Sequence, residues 1–403
     1  MKKGFFLSSV ALMALGALAG CGSNSGGGTN VGEIKVWCDE KVVESVTAQI
    51  NEYAKTSDYK FTLKVEPMGE GDAAGNMIND PKAGADVYFF AQDQLTRLIT
   101  AKAISDLASD AAATVKADND AASVAAATVN DKVYAYPATS DNTFFMYYDK
   151  SVYQGVDMTD LDAIIAKTKQ AGKKIYYNTS SAWYNAAFFY GAGAQSEWTT
   201  DASGNFTAYN DTYNSAAGKK AVQGMIGLCK DATIFVDSSE NGAFTKGAGV
   251  LISGTWAKSD VQTALGANMA ATVLPKYKVG NESFQLKSFS GFKLVGTKPQ
   301  TTVERAAAVK QIALAVTSEQ AQLTRFKNNG WGPSNKAAQN NAEVQADPTL
   351  KAVFAQMALA TPQGQYPGKW WDTAGAIGKN LTATSDVDKI LKTYEDALDG
   401  LLS

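Results

Sequence analysis

Four acidic side chains stand where a strand–helix fold would place them at strand ends. Asp39 and Glu40 directly follow a strand-like run at 33–37, Asp93 follows another at 86–90, and Asp141 lies four residues past Pro137. Carboxylates so placed could act in pairs on a glycosidic bond, bind a cation through oxygen, or accept hydrogen bonds from a polar ligand. The sequence narrows the catalytic options sharply, because its 403 residues include no histidine. That removes Ser-His-Asp and Cys-His nucleophiles and every His-dependent zinc or iron site. Beside the acids lie Lys41, Gln92 and Gln94, and several rings: Phe90 ends one strand, Trp183 follows another at 173–178, and Trp256 follows a Gly after 248–252. Trp331 sits among breakers in Gly330-Trp331-Gly332-Pro333, and Trp370 and Trp371 are adjacent. Adjacent residues on a helix or turn cannot both face one way, so one of that pair packs while the other is free to stack.

The elements that must position these residues alternate. Strands are expected at 33–37, 61–66 and 86–90, with an amphipathic helix over 41–55 carrying Val42, Val46, Ile50 and Tyr53 on one side. The alanine-rich 105–130 reads as helical, and 133–136 and 143–148 as strands; Tyr147 and Tyr148 there are core residues. A second series follows, with strands at 173–178 and 248–252 and helices at 183–192, 215–231 and 303–316. Thr317 and Gln320 form a capping box for a helix ending at Asn329-Gly330, and helices over 348–360 and 386–402 close the chain. This rhythm predicts an α/β protein built on parallel sheet.

Composition agrees with large buried cores: 45% of residues are hydrophobic and 19% charged. The length allows two to three domains. A net charge of −3 without any Lys/Arg-rich stripe argues against a nucleic-acid partner. Seventeen Tyr and seven Trp supply flat apolar bodies with polar tips, which suit binding surfaces. Cys38 and Cys229 are far apart and lack metal-site neighbours, which favours two lone buried thiols. Gly69-Glu70-Gly71 reads as a turn with no phosphate-loop context.

Lys2 and Lys3 precede an uncharged run over 4–20, the pattern of a secretory signal. Leu18-Ala19-Gly20-Cys21 resembles the lipobox of bacterial lipoproteins, which implies cleavage after residue 20 and a diacylglyceryl group on Cys21. Residues 21–32 would then be a lipidated flexible tether, and the protein would be extracytoplasmic, anchored to the outer face of the cell membrane.

Several blocks recur in a familiar order: Ile34-Lys35-Val36-Trp37 with Asp39-Glu40-Lys41; Ala85 through Asp93; Tyr134-Ala135-Tyr136-Pro137 with Asp141; and Tyr147-Tyr148-Asp149-Lys150. Ile252 through Ala257, Leu274-Pro275 and Trp370-Trp371 complete the set. In this the chain resembles the extracellular solute-binding proteins of ABC importers, specifically the maltose/maltodextrin-binding branch. The resemblance implies a two-lobed periplasmic-binding-protein-like fold of type II, closing about a hinge on ligand. Lobe one would comprise 33–139 plus 290–332, lobe two 143–286 plus 336–403, with hinge segments near 140–142, 287–289 and 333–335.

By the same resemblance, Asp39, Glu40 and Lys41 are sugar contacts, although Asp and Glu there would also cap the following helix. Phe90, Gln92, Asp93 and Gln94 match a pattern of aromatic–Ala–x–Asp–Arg, with Gln94 in place of the usual Arg. Losing that fork weakens a bidentate contact. Asp141 is either a sugar contact or a structural hinge residue, and Trp331 either a hinge plug or an added subsite. Ser181 stands where that family often has Glu. Trp183, Trp256 and Trp371 are the expected stacking rings. The implied function is capture of a malto-oligosaccharide or related oligosaccharide and its delivery to ABC permease subunits. The binder is expected to be a monomer needing neither metal nor cofactor. Two other classes fit the residues less well: a binding protein for a polyamine or peptide, and a surface glycoside hydrolase using two of the four acids.

Overall fold

The computed structural model describes residues 28–201 and 205–402. The signal run over 1–20, Cys21 and most of the tether therefore lie outside the described residues. Two sheets, each covered by helices, form the two halves of the molecule. In the first, Thr29–Cys38 pairs in parallel with Tyr59–Pro67 on one side and Val87–Ala91 on the other. Phe289–Thr297 lies antiparallel beside Val87–Ala91, and Tyr136–Thr143 antiparallel beside that. In the second, Phe235–Val236, Lys174–Tyr176 and Ala248–Ser253 run in parallel, followed by Phe145–Asp149 antiparallel and Met269–Thr272 beyond it.

The expected helices form largely where patterning puts them, including Val43–Ala54, Ala182–Ala192, Ala216–Cys229 and Val303–Thr317. Val46 and Ile50 are fully buried against Ile34, Val36 and Val87, which is why the first helix adheres to its sheet. Two readings need correction, and two hairpins join the expected elements. The sheets are mixed rather than parallel, because Phe145–Asp149 and Phe289–Thr297 enter from the opposite lobe and need no crossover helix on their own sheet. The helix Glu319–Asn329 is capped by Ser318, whose side chain accepts from Ala321 N. Thr317 belongs to the preceding helix and donates to Ala313 O at 2.7 Å. The hairpins Ser196–Thr200/Phe206–Asp211 and Lys276–Val279/Glu282–Gln285 carried too weak an alternation to be read beforehand.

The chain passes from the first sheet to the second at Phe144, just past the expected 140–142, because Thr143 still pairs with Ser290. It returns at Leu286–Ser288, and the third passage comes later than the expected 333–335, because Ser334 still bonds Asn119 and Gln339 still donates to Asp120 Oδ2 in the first lobe, while Val344 packs in the second. The final stretch, 336–403, does not stay in the second lobe throughout. Thr361–Pro362 pairs with Phe289 and Ser290 at the hinge, and Gln92 exchanges hydrogen bonds with Gln363 O at 3.0 Å and the Gln365 side-chain amide at 3.1 Å. Cys38 and Cys229 are buried and free, and burial pushes both thiols up to about 12. No helix among the described residues is long and apolar enough to cross a membrane.

Candidate functional site

A cleft of about 760 Å³ opens between the two sheets at the ends of their strands. That is where open α/β sheets present ligand sites. Its first-lobe wall is polar. Asp39 lines it from the end of the first strand while also capping the next turn, accepting from Lys41 N at 2.8 Å. Lys41 Nζ crosses to the second lobe, donating to Trp256 O at 3.1 Å and Asp260 Oδ2 at 2.5 Å. Glu70 sits on the Gly69–Gly71 turn with Lys293 Nζ 3.4 Å from its Oε1. Burial pushes the Glu70 carboxyl above its ordinary range, against the pull of Lys293. Lys293 is itself buried, lying 3.7 Å from the Trp331 ring centre and 5.7 Å from that of Trp256.

Asp93 is 4% exposed, and burial raises its carboxyl to about 7, opposed by its own backbone N–H, the Arg97 charge and the Gln363 side chain. The folded state therefore holds this proton more tightly than the unfolded chain, whose ordinary value is 3.8. The resulting stabilisation is full below the unfolded value and disappears as pH rises through about 7. Asp93→Asn is expected to flatten the decline in stability between about pH 4 and 7, measured by urea unfolding across that range. An unchanged pH profile would show that Asp93 is not the titrating group.

The second-lobe wall is aromatic. Trp183, at the start of Ala182–Ala192, stacks on Phe289 at 5.2 Å and 24° and lies 6.5 Å from Trp371. Trp370 is fully buried, stacks on Tyr366 at 4.1 Å, and donates Nε1–H to Tyr394 Oη at 3.0 Å. Trp371 is the member of that pair that lines the cleft. Trp256 folds back over residue 254, where a Cβ would come within 2.2 Å of the indole, so only glycine allows this ring position. One side of the cleft thus supplies carboxylates, ammonium groups and amides, and the other supplies half-buried indole faces.

The pattern of the bacterial extracellular solute-binding protein family matches residues 48–352. The chain belongs to that family. A maltooligosaccharide ABC transporter solute-binding lipoprotein of Streptococcus pneumoniae (strain ATCC BAA-255 / R6) is 25% identical over 390 residues, covering 90% of this chain and 87% of its own. A solved structure with acarbose is 29% identical, covers 93% of this chain and 99% of its own, and superposes with a TM-score of 0.79. The maltotriose binding protein of Thermus thermophilus, bound with maltotriose, shares the fold with a TM-score of 0.78 at 19% identity, covering 92% and 100%.

In this solute-binding protein the cleft gathers seven of the expected contacts: Asp39, Lys41, Asp93, Gln94, Trp183, Trp256 and Trp371. The other five lie elsewhere, for physical reasons. Glu40 points to solvent one residue into the helical turn. Phe90 faces inward on a strand buried on both sides and packs at 5.7 Å from Tyr88. Gln92 is committed to the hinge strap. Asp141 is fully buried, its Oδ2 accepting from Thr255 Oγ1 at 2.7 Å and Gly332 N at 2.5 Å. Trp331 is 2% exposed and belongs to the first-lobe core beneath Lys293, a plug rather than a subsite.

Sequence reasoning missed Glu70, Arg97, Asn142, Asn241, Lys293, Gln363, Lys369 and Asp372, all on the cleft wall. Glu70 had a signal, a lone acid between two glycines directly after the second strand.

Proposed function

We propose that this solute-binding protein captures a malto-oligosaccharide between its lobes and hands it, unaltered, to the permease subunits of an ABC importer. The observation that carries this reading is the pairing of a carboxylate-and-amide wall with an indole wall across one cleft. A sugar ring presents hydroxyls at its rim and a weakly polar C–H face, so it needs hydrogen-bonding groups at its edge and flat rings against its face. Buried charged acceptors contribute on the order of 1.5–3 kcal/mol per sugar hydroxyl. The names of the curated relative and of the acarbose-bearing structure support the same ligand class. Enclosure gives the permease two distinguishable surfaces, loaded and empty, and only the ligand's greater affinity for the closed form drives the change. Lys41 already reaches Asp260 and Trp256 across the opening, so closure has contacts to build on. Attachment of lipid at Cys21 would hold the binder beside its permease.

Calorimetry and thermal shift across glucose, maltose, maltotriose, longer maltodextrins and β-linked oligomers test this reading. Maltotriose or a longer α-glucan at a hundred times its Kd is expected to stabilise the fold by about 2.7 kcal/mol and to be recovered intact. Stabilisation by an amine or peptide with none by any malto-oligosaccharide would overturn the reading. Release of new reducing ends would point instead to a hydrolase.

A further inference from the structure

We propose that Arg97 is the specificity-determining hydrogen-bond donor of the cleft, reading two neighbouring oxygens of the bound sugar with its planar fork. The proposal rests on the oligosaccharide reading above. A polyhydroxyl ligand offers acceptor lone pairs as well as donor protons. The acids of the first-lobe wall, when ionised, only accept, so they satisfy hydroxyl protons and leave hydroxyl and ring oxygens in want of N–H groups. The amides of Asn142 and Asn241 can supply some of these and the cleft's cations the charged ones, of which two are already committed. Lys41 is tied to Asp260 and Trp256 O, and Lys293 is held between Glu70 and the Trp331 ring. Lys369 is exposed and ends in a point charge on a flexible stem.

Arg97 differs from all three. It is half-buried on the cleft wall, and its guanidinium meets no hydrogen-bond acceptor or ion-pair partner among the described residues. The Asp93 carboxylate one helical turn earlier feels its charge but takes its side-chain hydrogen bond from Gln363. The guanidinium plane reaches across to the second-lobe segment at Gly368, where a Cβ would lie 3.1 Å from Nη2 and 3.2 Å from Cζ. The bare glycine therefore leaves room for the fork at the point where the lobes meet, beside the Trp371 face. Gln94, the nearest polar alternative, is turned away: its Nε2 donates to Gly71 O at 2.7 Å and its Oε1 accepts from Ala74 N at 3.2 Å. Gln94 steadies the turn that carries Glu70, and Arg97 is left to meet the ligand. Five fixed donors in one plane suit a pair of adjacent oxygens and discriminate against a sugar that lacks one of them.

The test is calorimetry of wild type, Arg97→Lys and Arg97→Gln with maltotriose and with its singly deoxygenated derivatives. Arg97→Gln is expected to weaken maltotriose tenfold to a hundredfold, and Arg97→Lys is expected to recover only part of that loss. At one or two deoxygenated positions the penalty seen in wild type is expected to vanish in Arg97→Gln, the coupling that identifies a direct contact. Unliganded Arg97→Lys is expected to keep the wild-type thermal midpoint, since the guanidinium has no hydrogen-bond partner to lose and the charge that acts on Asp93 is retained. An affinity within twofold of wild type, or deoxygenation penalties unchanged in every position, would overturn the proposal. So would a lowered midpoint that alone accounts for the lost affinity. If wild type itself binds no malto-oligosaccharide, the oligosaccharide reading falls, and this proposal with it.

Discussion

Trp256→Ala is expected to weaken oligosaccharide binding by tenfold to a hundredfold, about 1.4–2.7 kcal/mol. The ring lies on the short turn Thr255–Ala257 that follows a fully buried strand, and it is only half-buried in the ligand-free cleft. The backbone permits this position, since the indole rests over Gly254 at a distance no Cβ would tolerate, and packing against the second-lobe cores holds it there. A preplaced ring costs little entropy on binding, so removing it forfeits most of the stacking energy. Part of the loss should also fall on folding, because the half-buried ring packs against two core clusters, so unfolding of the variant is measured beside its affinity. Trp256→Phe should retain part of the affinity. Binding within twofold of wild type for folded Trp256→Ala would show that the platform lies elsewhere on the wall.

Asp141→Ala is expected to cost on the order of 3 kcal/mol of stability, with a smaller effect on affinity. One carboxylate oxygen joins three pieces of chain: the first crossing strand that carries it, Thr255 just past the end of a second-lobe strand, and Gly332 in the first-lobe loop after Glu319–Asn329. Truncation strands a buried hydroxyl and a buried backbone N–H, each costing about 1–3 kcal/mol. Urea unfolding measures the change, and Asp141→Asn should lose less because one oxygen remains to accept. A loss below about 1 kcal/mol for the alanine variant would mean that water replaces the carboxylate and that the hinge is held by its strands alone.

Which parts of this were legible in advance follows from how far each property reaches along the chain. The strand–helix alternation, the buried faces of Val43–Ala54 and Ala182–Ala192, and the lone thiols depend on neighbours a few residues away, so periodicity carries them. The strand direction does not: Phe289–Thr297 and Phe145–Asp149 look like any apolar strand, and only their entry from the opposite lobe makes them antiparallel. The cleft residues divide the same way. Asp39, Asp93 and Trp256 sit within a few residues of a strand end, and their place at the cleft follows from that. Glu70, Lys293 and Gln363 come from three remote segments, and no local pattern signals that they meet.

Phe90 and Trp331 show the converse error. Each lies near residues that line the cleft, yet Phe90 is on a strand covered on both faces and so packs in the core, and Trp331 fills the space beneath Lys293. The residue types and their order along the chain determined by themselves that no histidine chemistry is available, that the fold is α/β, and that acids and indoles stand near strand ends; the two lobes were implied by the family resemblance. Only the tertiary structure decided which of them face one another. A side chain's direction depends on what packs behind it, and at this cleft the packing comes from segments up to hundreds of residues away.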